Sequence, residues 1–207
     1  MSTTEDRLRR IEDKLAIQEL AHLYGFVMDE RDLEGLSSLF TADAHLGSAD
    51  GVFNADGLET IAKTYQARYD ALGATHHFIH SVLTRFDEQG PDTARGVVSG
   101  HAEVVREGET MWVALRYHDV YRRTENGWRI AERVMGYMYY LPVTDYVSTL
   151  KTDERSLVYG DPRPADWPSV LHGHDLDWLR AFYATEGDDR GVGVAEVDLH
   201  GGREAGA

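Results

Sequence analysis

Cysteine is absent from the 207 residues, which removes disulfide frameworks, thiolate metal sites and cysteine nucleophiles together. Basic residues are scarce: 21 Lys and Arg stand against 36 Asp and Glu, a formal charge of −15. Such a surface repels phosphate backbones and anionic headgroups, so no nucleic-acid partner is expected. Long apolar runs are missing as well, none approaching the ~20 residues that a bilayer span needs, and "MSTTEDRLRR" lacks the apolar segment of a signal peptide. No membrane association and a cytoplasmic location are the expectation. Gly-rich phosphate cradles are lacking too, because "GVGVAE" sits near the end without a βαβ context, and no nucleotide cofactor is expected.

What is present suits one sizeable core, with 42% hydrophobic and 10% aromatic residues. Thr4 to Met28 contains no Pro and only Gly25, and Thr3 or Thr4 can cap it, so a long first helix is predicted. Its apolar residues fall on two stripes. Leu8, Ile11, Leu15, His22, Phe26 and Asp29 form one, and Ala16, Leu20, Leu23, Tyr24 and Val27 the other, as in a helix wedged between neighbours. "RDLEGLSSLF" reads as a short second helix capped by Asp32, with a brief extended segment near Ala44 to Leu46. A third helix runs through "ADGLETIAKTYQARYDAL". After Gly73, four β-branched and aromatic runs are separated by "DEQGPD", "REGE" and "TENG", which is turn chemistry. Helices followed by strands predict an α+β fold with three helices on one face of a curved, mostly antiparallel sheet. Beyond Thr144, "GDPRPADWPS" is irregular, "HDLDWLRAFYAT" can form a short helix, and "GVGVAEVDLHGGREAGA" reads as an extended or partly disordered tail. Trp167, Trp178, Phe182 and Tyr183 call for this appendage to dock on the sheet, a neighbouring subunit or a pocket mouth.

Asp29 sits where the first helix runs out, against the negative end of its dipole, which costs some tenths of a kcal/mol and asks for another role. In "THHFIHSVL", alternation places His76, Phe78, His80 and Val82 on one face and His77, Ile79, Ser81 and Leu83 on the other. His76 and His80 are then roughly 13 Å apart, too far to share a zinc ion, so no metal is expected. His80 is a candidate general base or a satisfied histidine; Asp29 is its candidate partner or a cap of the second helix. Arg133 shares a strand face with Met135, Tyr137 and Tyr139, and faces either a pocket or an acid such as Glu103 or Glu132. His101 and Glu103 line a cavity or face solvent.

The stretches "DRLRRIEDKLAIQELAHLYGFVMDERDLEGLSSLFTADA", "THHFIHSVLTRF" and "GWRIAERVMGYMYY" resemble the SnoaL-like branch of the nuclear-transport-factor-2-like superfamily. The closest group holds hexachlorocyclohexane dehydrochlorinase, scytalone dehydratase and bile-acid 7α-dehydratase. The resemblance implies a cone-shaped α+β barrel over residues 1–143, with residues 144–207 as a partly irregular C-terminal extension. It implies an Asp29–His80 dyad, with Tyr24 and Arg133 stabilising negative charge, and substrate contacts from His101 and Glu103, joined by Tyr137 and Tyr139 from the aromatic strand face. The implied activity is a metal- and cofactor-independent carbon–oxygen lyase, a dehydratase acting on a small, mostly apolar cyclic, polyketide-like or steroid-like molecule of secondary metabolism. An isomerase or cyclase with the same dyad is one alternative, and a non-catalytic ligand-binding or oxygenase-subunit-like module is another. A homo-oligomer, by resemblance a trimer, is expected.

Overall fold

The computed structural model describes residues 3–87 and 90–183. Thr3 opens α1 (Thr4–Asp29) with a capping box: its hydroxyl accepts the Asp6 amide while the Asp6 carboxylate accepts the Thr3 amide. Only one side of this helix is used. Ile17, Leu20, Ala21, Tyr24, Val27 and Met28 are buried, each contributing about 1.5–3 kcal/mol where a large side chain leaves water. Leu8, Ile11, Leu15 and Phe26 stay largely in solvent, so the expected wedge is instead a helix laid on the sheet from one side. Asp13 anchors its N-terminal half, accepting from the Trp128 indole at 3.1 Å and from Arg123 at 2.5 Å.

The second helix is shorter than expected: α2 (Leu36–Leu39) is a single turn, while Asp32 accepts the Gly35 amide at 2.9 Å in the turn before it. α3 (Leu58–Ala71) then crosses the sheet with Ile61, Tyr65 and Tyr69 buried. Six strands form one open sheet: β1 (Phe40–Ser48), β2 (Asn54–Asp56), β3 (Leu72–Asp87), β4 (Gly90–Arg106), β5 (Glu109–Thr124) and β6 (Gly127–Pro142), in the order β2-β1-β6-β5-β4-β3. The brief extended segment expected near Ala44 is the full strand β1, which pairs with β6 in parallel. The long strands β3 to β6 form the expected meander. In the "REGE" turn Glu107 and Gly108 both take positive φ, as a two-residue hairpin loop with right-handed strand twist demands. No helix of the described residues is long and apolar enough to cross a membrane.

Bulges curve the sheet. In β3, Ile79 pairs with Gly100 and Ser81 with Ser99, leaving His80 as the extra residue. In β6, Ala131 and Met138 are extra in the same sense. Each bulge switches the alternation beyond it and bends the strand. The inner face of β3 therefore reads His77 and Ile79 before the bulge and Val82, Thr84 and Phe86 after it.

Residues after Pro142 wrap the sheet. α4 (Tyr146–Thr149) packs on the outer face near Trp112 and Tyr139. Buried Arg155 donates to the carbonyls of Met138, Thr152 and Trp167, and the Trp167 indole stacks on His118 at 5.0 Å and 7°. α5 (Asp177–Tyr183) carries Trp178 beside Trp167 and Phe182 against the guanidinium of Arg85. The appendage thus docks on the sheet, one of the expected outcomes. The reading of residues 191–207 as an extended or partly disordered tail lies outside the described residues.

One charged knot sits inside this apolar core. Arg133 and Asp119, both fully buried, share two hydrogen bonds at 2.8 and 2.6 Å, and the Tyr121 hydroxyl donates to the same carboxylate at 2.6 Å. The guanidinium lies against the rings of both Tyr24 and Tyr117, 4.2 and 4.1 Å from their centroids. Removing the carboxylate leaves an unpaired buried cation, so Asp119→Ala is expected to lower unfolding free energy by about 3–5 kcal/mol in urea titrations; a loss below about 1 kcal/mol would show that the pair does not hold the core.

Candidate functional site

The end of α1 sets the site. Arg31 takes a left-handed conformation at φ 56, and the Asp32 amide reaches back to the Val27 carbonyl at 3.0 Å, closing the helix in a Schellman-type turn. A non-glycine residue there costs roughly 1–2 kcal/mol. The Arg31 guanidinium offsets it by donating to the carbonyls of Tyr69, Leu72 and Gly73, which ties α1 to the junction of α3 and β3. Asp29, two residues earlier, is thereby aimed at β3.

The Asp29 carboxylate accepts two hydrogen bonds from one residue, the backbone amide of His77 at 2.8 Å and its Nδ1 at 2.6 Å. Burial alone would raise the Asp29 pKa, but these bonds, joined by one from Thr75, outweigh it and hold the carboxyl below its usual range. An ionised carboxylate only accepts, so Nδ1 carries a proton, and in the neutral ring the lone pair is on Nε2. Nε2 makes no hydrogen bond with the described residues. At Gly25 the helix backbone packs against β3, where an added Cβ would be in van der Waals contact with the His77 Cβ at 3.4 Å.

His77 forms part of the wall of a cavity of about 490 Å3 between α1, α3 and the inner face of β3 to β6. Tyrosines dominate that wall: Tyr24, Tyr65, Tyr69, Tyr117, Tyr137 and Tyr140. Val158 and Tyr159 from the appendage add to it. The Tyr24 and Tyr65 hydroxyls are 2.8 Å apart, and the Tyr24 ring stands edge-on to the His77 imidazole with 6.3 Å between centroids. Two hydroxyls joined by one hydrogen bond keep one O–H free to donate elsewhere. Burial pushes the Tyr65 phenol well above its ordinary pKa, so it remains a neutral donor.

Of the residues expected at the site, Tyr24 and Tyr137 line this wall, and Asp29 and Arg133 lie behind it. The rest lie elsewhere. His80 is not the partner of Asp29: as the bulge residue of β3 it points to the outer face, where its Nε2 meets Nδ1 of His101 at 2.8 Å. His101 and Glu103 are exposed on that same face, because on β4 the inward positions are Ala102 and Val104. Tyr139 is carried outward by the bulge at Met138 and packs with Ala114, Leu141 and Tyr146. Arg133 faces inward as expected, but it sits behind Tyr24 and Tyr117 with Asp119 as its acid partner, in place of Glu103 or Glu132. Among the wall residues that the sequence reading did not place at the site are His77, Tyr65 and Arg68. Arg68 was detectable, since it follows Ile61 by seven positions and Tyr65 by three, the spacing of one buried helix stripe.

With the fold and cavity defined, comparison with known proteins identifies the class. Residues 9–134 match the SnoaL-like domain family, and the chain belongs to it, within the nuclear-transport-factor-2-like fold. Its sequence is 30% identical over 132 residues to the uncharacterized protein Rv2910c of Mycobacterium tuberculosis H37Rv, covering 60% of this chain and 84% of that one. A candidate scytalone dehydratase from Novosphingobium aromaticivorans superposes with a TM-score of 0.59 at 19% identity, covering 68% of this chain and 91% of the other. Hexachlorocyclohexane dehydrochlorinase LinA-type3 from Novosphingobium barchaimii superposes with a TM-score of 0.58 at 19% identity, covering 66% and 94%. At such identities the two structures share the fold.

The Asp29 contacts carry a pH signature. A carboxyl whose folded pKa lies below its unfolded value of about 3.9 stabilises the fold fully above that value, and the contribution is lost as pH falls through the folded value. Asp29→Asn is therefore expected to cost about 1.5–3 kcal/mol near neutral pH, with the gap to wild type closing below about pH 4 in denaturant titrations at stepped pH. A gap that widens on acidification would contradict this assignment.

Proposed function

We propose that the chain is a lyase of dehydratase type whose general base is His77, oriented by Asp29, acting on a small cyclic substrate held in the tyrosine-lined cavity. The observation that carries this reading is the double hydrogen bond from His77 to one carboxylate, which fixes the ring and leaves Nε2 available at a half-open, largely apolar cavity. Kinship with folds that include a dehydratase candidate and a dehydrochlorinase supports the same direction.

The chemistry balances within these residues. His77 Nε2 takes a proton from a carbon made acidic by a neighbouring carbonyl, and the electron pair forms an enolate whose oxygen accepts the free O–H of the Tyr24–Tyr65 pair. As the enolate collapses, a carbon–carbon double bond forms, the carbon–oxygen bond at the β position breaks, and the departing hydroxide takes the proton from the imidazolium as water. Asp29 stabilises the transient imidazolium. Neither an electron carrier nor a nucleotide is required by this sequence of steps. Arg133 acts at one remove, pressing its charge against the Tyr24 ring and holding that phenol in place.

The test is a mass-spectrometric assay over a panel of cyclic β-hydroxy ketones in deuterated buffer, reading both water loss and deuterium uptake at the acidic carbon. Wild type is expected to show both. His77→Ala should lose about 10²–10⁴-fold in rate, Asp29→Asn should fall into the same range, and His80→Ala should match wild type. Undiminished turnover in His77→Ala would overturn the assignment of the base, and loss in His80→Ala alone would move it to the outer face.

A further inference from the structure

We infer that the cavity selects an anion: the guanidinium of Arg68 is a binding site for a carboxylate or similarly planar oxyanion on the substrate. The inference takes the cavity to be the reaction site, as proposed above, and names the chemical class of what enters it. Arg68 lies on α3 and forms part of the cavity wall. Among the described residues it makes no hydrogen bond and no ion pair, resting only on the aromatic faces of Phe53 and Tyr65, 4.7 and 5.5 Å from their centroids. A guanidinium presents five N–H donors in a planar fork, and aromatic faces satisfy none of them.

The surroundings supply nothing to neutralise it. In a protein carrying a formal charge of −15, the cavity wall holds no aspartate or glutamate among the described residues. Burial is the largest single influence on the Arg68 charge and acts against it, but Tyr65, Tyr137, Tyr24 and Tyr117 together outweigh it and the net shift is upward, so the guanidinium stays a cation. A partly desolvated cation that lacks a carboxylate is completed by an incoming one, with its fork available for two parallel hydrogen bonds. The other arginine of the wall is already occupied, donating to the Val158 carbonyl and to Tyr140. Arg68 also connects to the proton-transfer end through a short series of contacts, its guanidinium over Tyr65, Tyr65 bonded to Tyr24, and Tyr24 edge-on to His77. A ring system bearing an acidic group can therefore be held by its charge at Arg68 with its carbon skeleton along the tyrosine wall.

The experiment uses 2-naphthoate and its neutral isostere 2-naphthamide, titrated calorimetrically into the full chain. Wild type should bind the acid about tenfold to a hundredfold more tightly than the amide, with the preference shrinking as salt is raised. Arg68→Met, which keeps the apolar stem, should abolish the preference while leaving amide binding and the melting temperature near wild type, and Arg68→Lys should retain part of it. His77→Ala should keep it. No preference in wild type, no detectable naphthoate binding, or a preference that survives in Arg68→Met overturns the inference. A preference lost in His77→Ala and kept in Arg68→Met places the anion on the imidazole and likewise overturns it. Failure of the elimination assay with the Arg68-dependent preference intact would instead reject only the lyase reading.

Discussion

The way α1 ends governs most of what lies downstream. One turn of backbone places Asp29 against β3 and Arg31 under the end of α3, so a single helix terminus fixes two of the walls that enclose the cavity. Both placements run against local preference. A carboxylate at a helix C-terminus opposes the dipole, and a left-handed arginine opposes chirality. Each is stabilised by hydrogen bonds to groups that would otherwise be left unsatisfied: the His77 amide and imidazole in one case, and the carbonyls where α3 turns into β3 in the other. The acid-rich stretch after Val27 therefore couples helix termination to site geometry.

The architecture was legible because it is written in long periodic signals. The first and third helices, the four-strand meander and the turn chemistry between strands all follow from patterns spanning ten residues or more. The site was less legible, because it depends on phase. Alternation correctly separates His76 and His80 from His77, yet nothing in "THHFIHSVL" announces that His80 is a bulge or which face the helix will cover. The same difficulty recurs in β6, where Tyr137 and Tyr139 read as one face and Met138 divides them. A bulge is a property of two paired strands, and a reading of one strand cannot see it. β1 escaped full recognition for a related reason, since its partner β6 lies more than eighty residues further along the chain.

The buried arginine in β6 shows how a correct face assignment can still mislead about role. Arg133 points inward, as its phase predicts, but Asp119 takes two of its nitrogens, Nε and Nη2, and Tyr121 bonds the same carboxylate before any ligand arrives. Its charge is spent on structure: it packs against both the Tyr24 and Tyr117 rings, which meet each other edge-on at 5.5 Å, and Tyr24 in turn meets Tyr65 and His77. The sequence around Arg133 contains no sign of this, because the acid that pairs with it belongs to the neighbouring strand.

Among the cations near the cavity, Arg133 keeps one buried nitrogen, Nη1, without a partner, and one wall cation has no acceptor at all among the described residues. Arg133 has Asp119, Arg31 has three carbonyls, and Arg106 has the Val158 carbonyl and Tyr140. Arg68 has two aromatic faces and no acceptor within the described residues. Arg68 is partly exposed on the cavity wall, so its fork stands open to whatever enters there. Combined with an imidazole whose second nitrogen is likewise unmatched, this gives the cavity two open positions of opposite demand, one for a proton and one for negative charge. A ligand answering both is an acid with an activated carbon–hydrogen bond, which is a narrower description than the fold alone could provide.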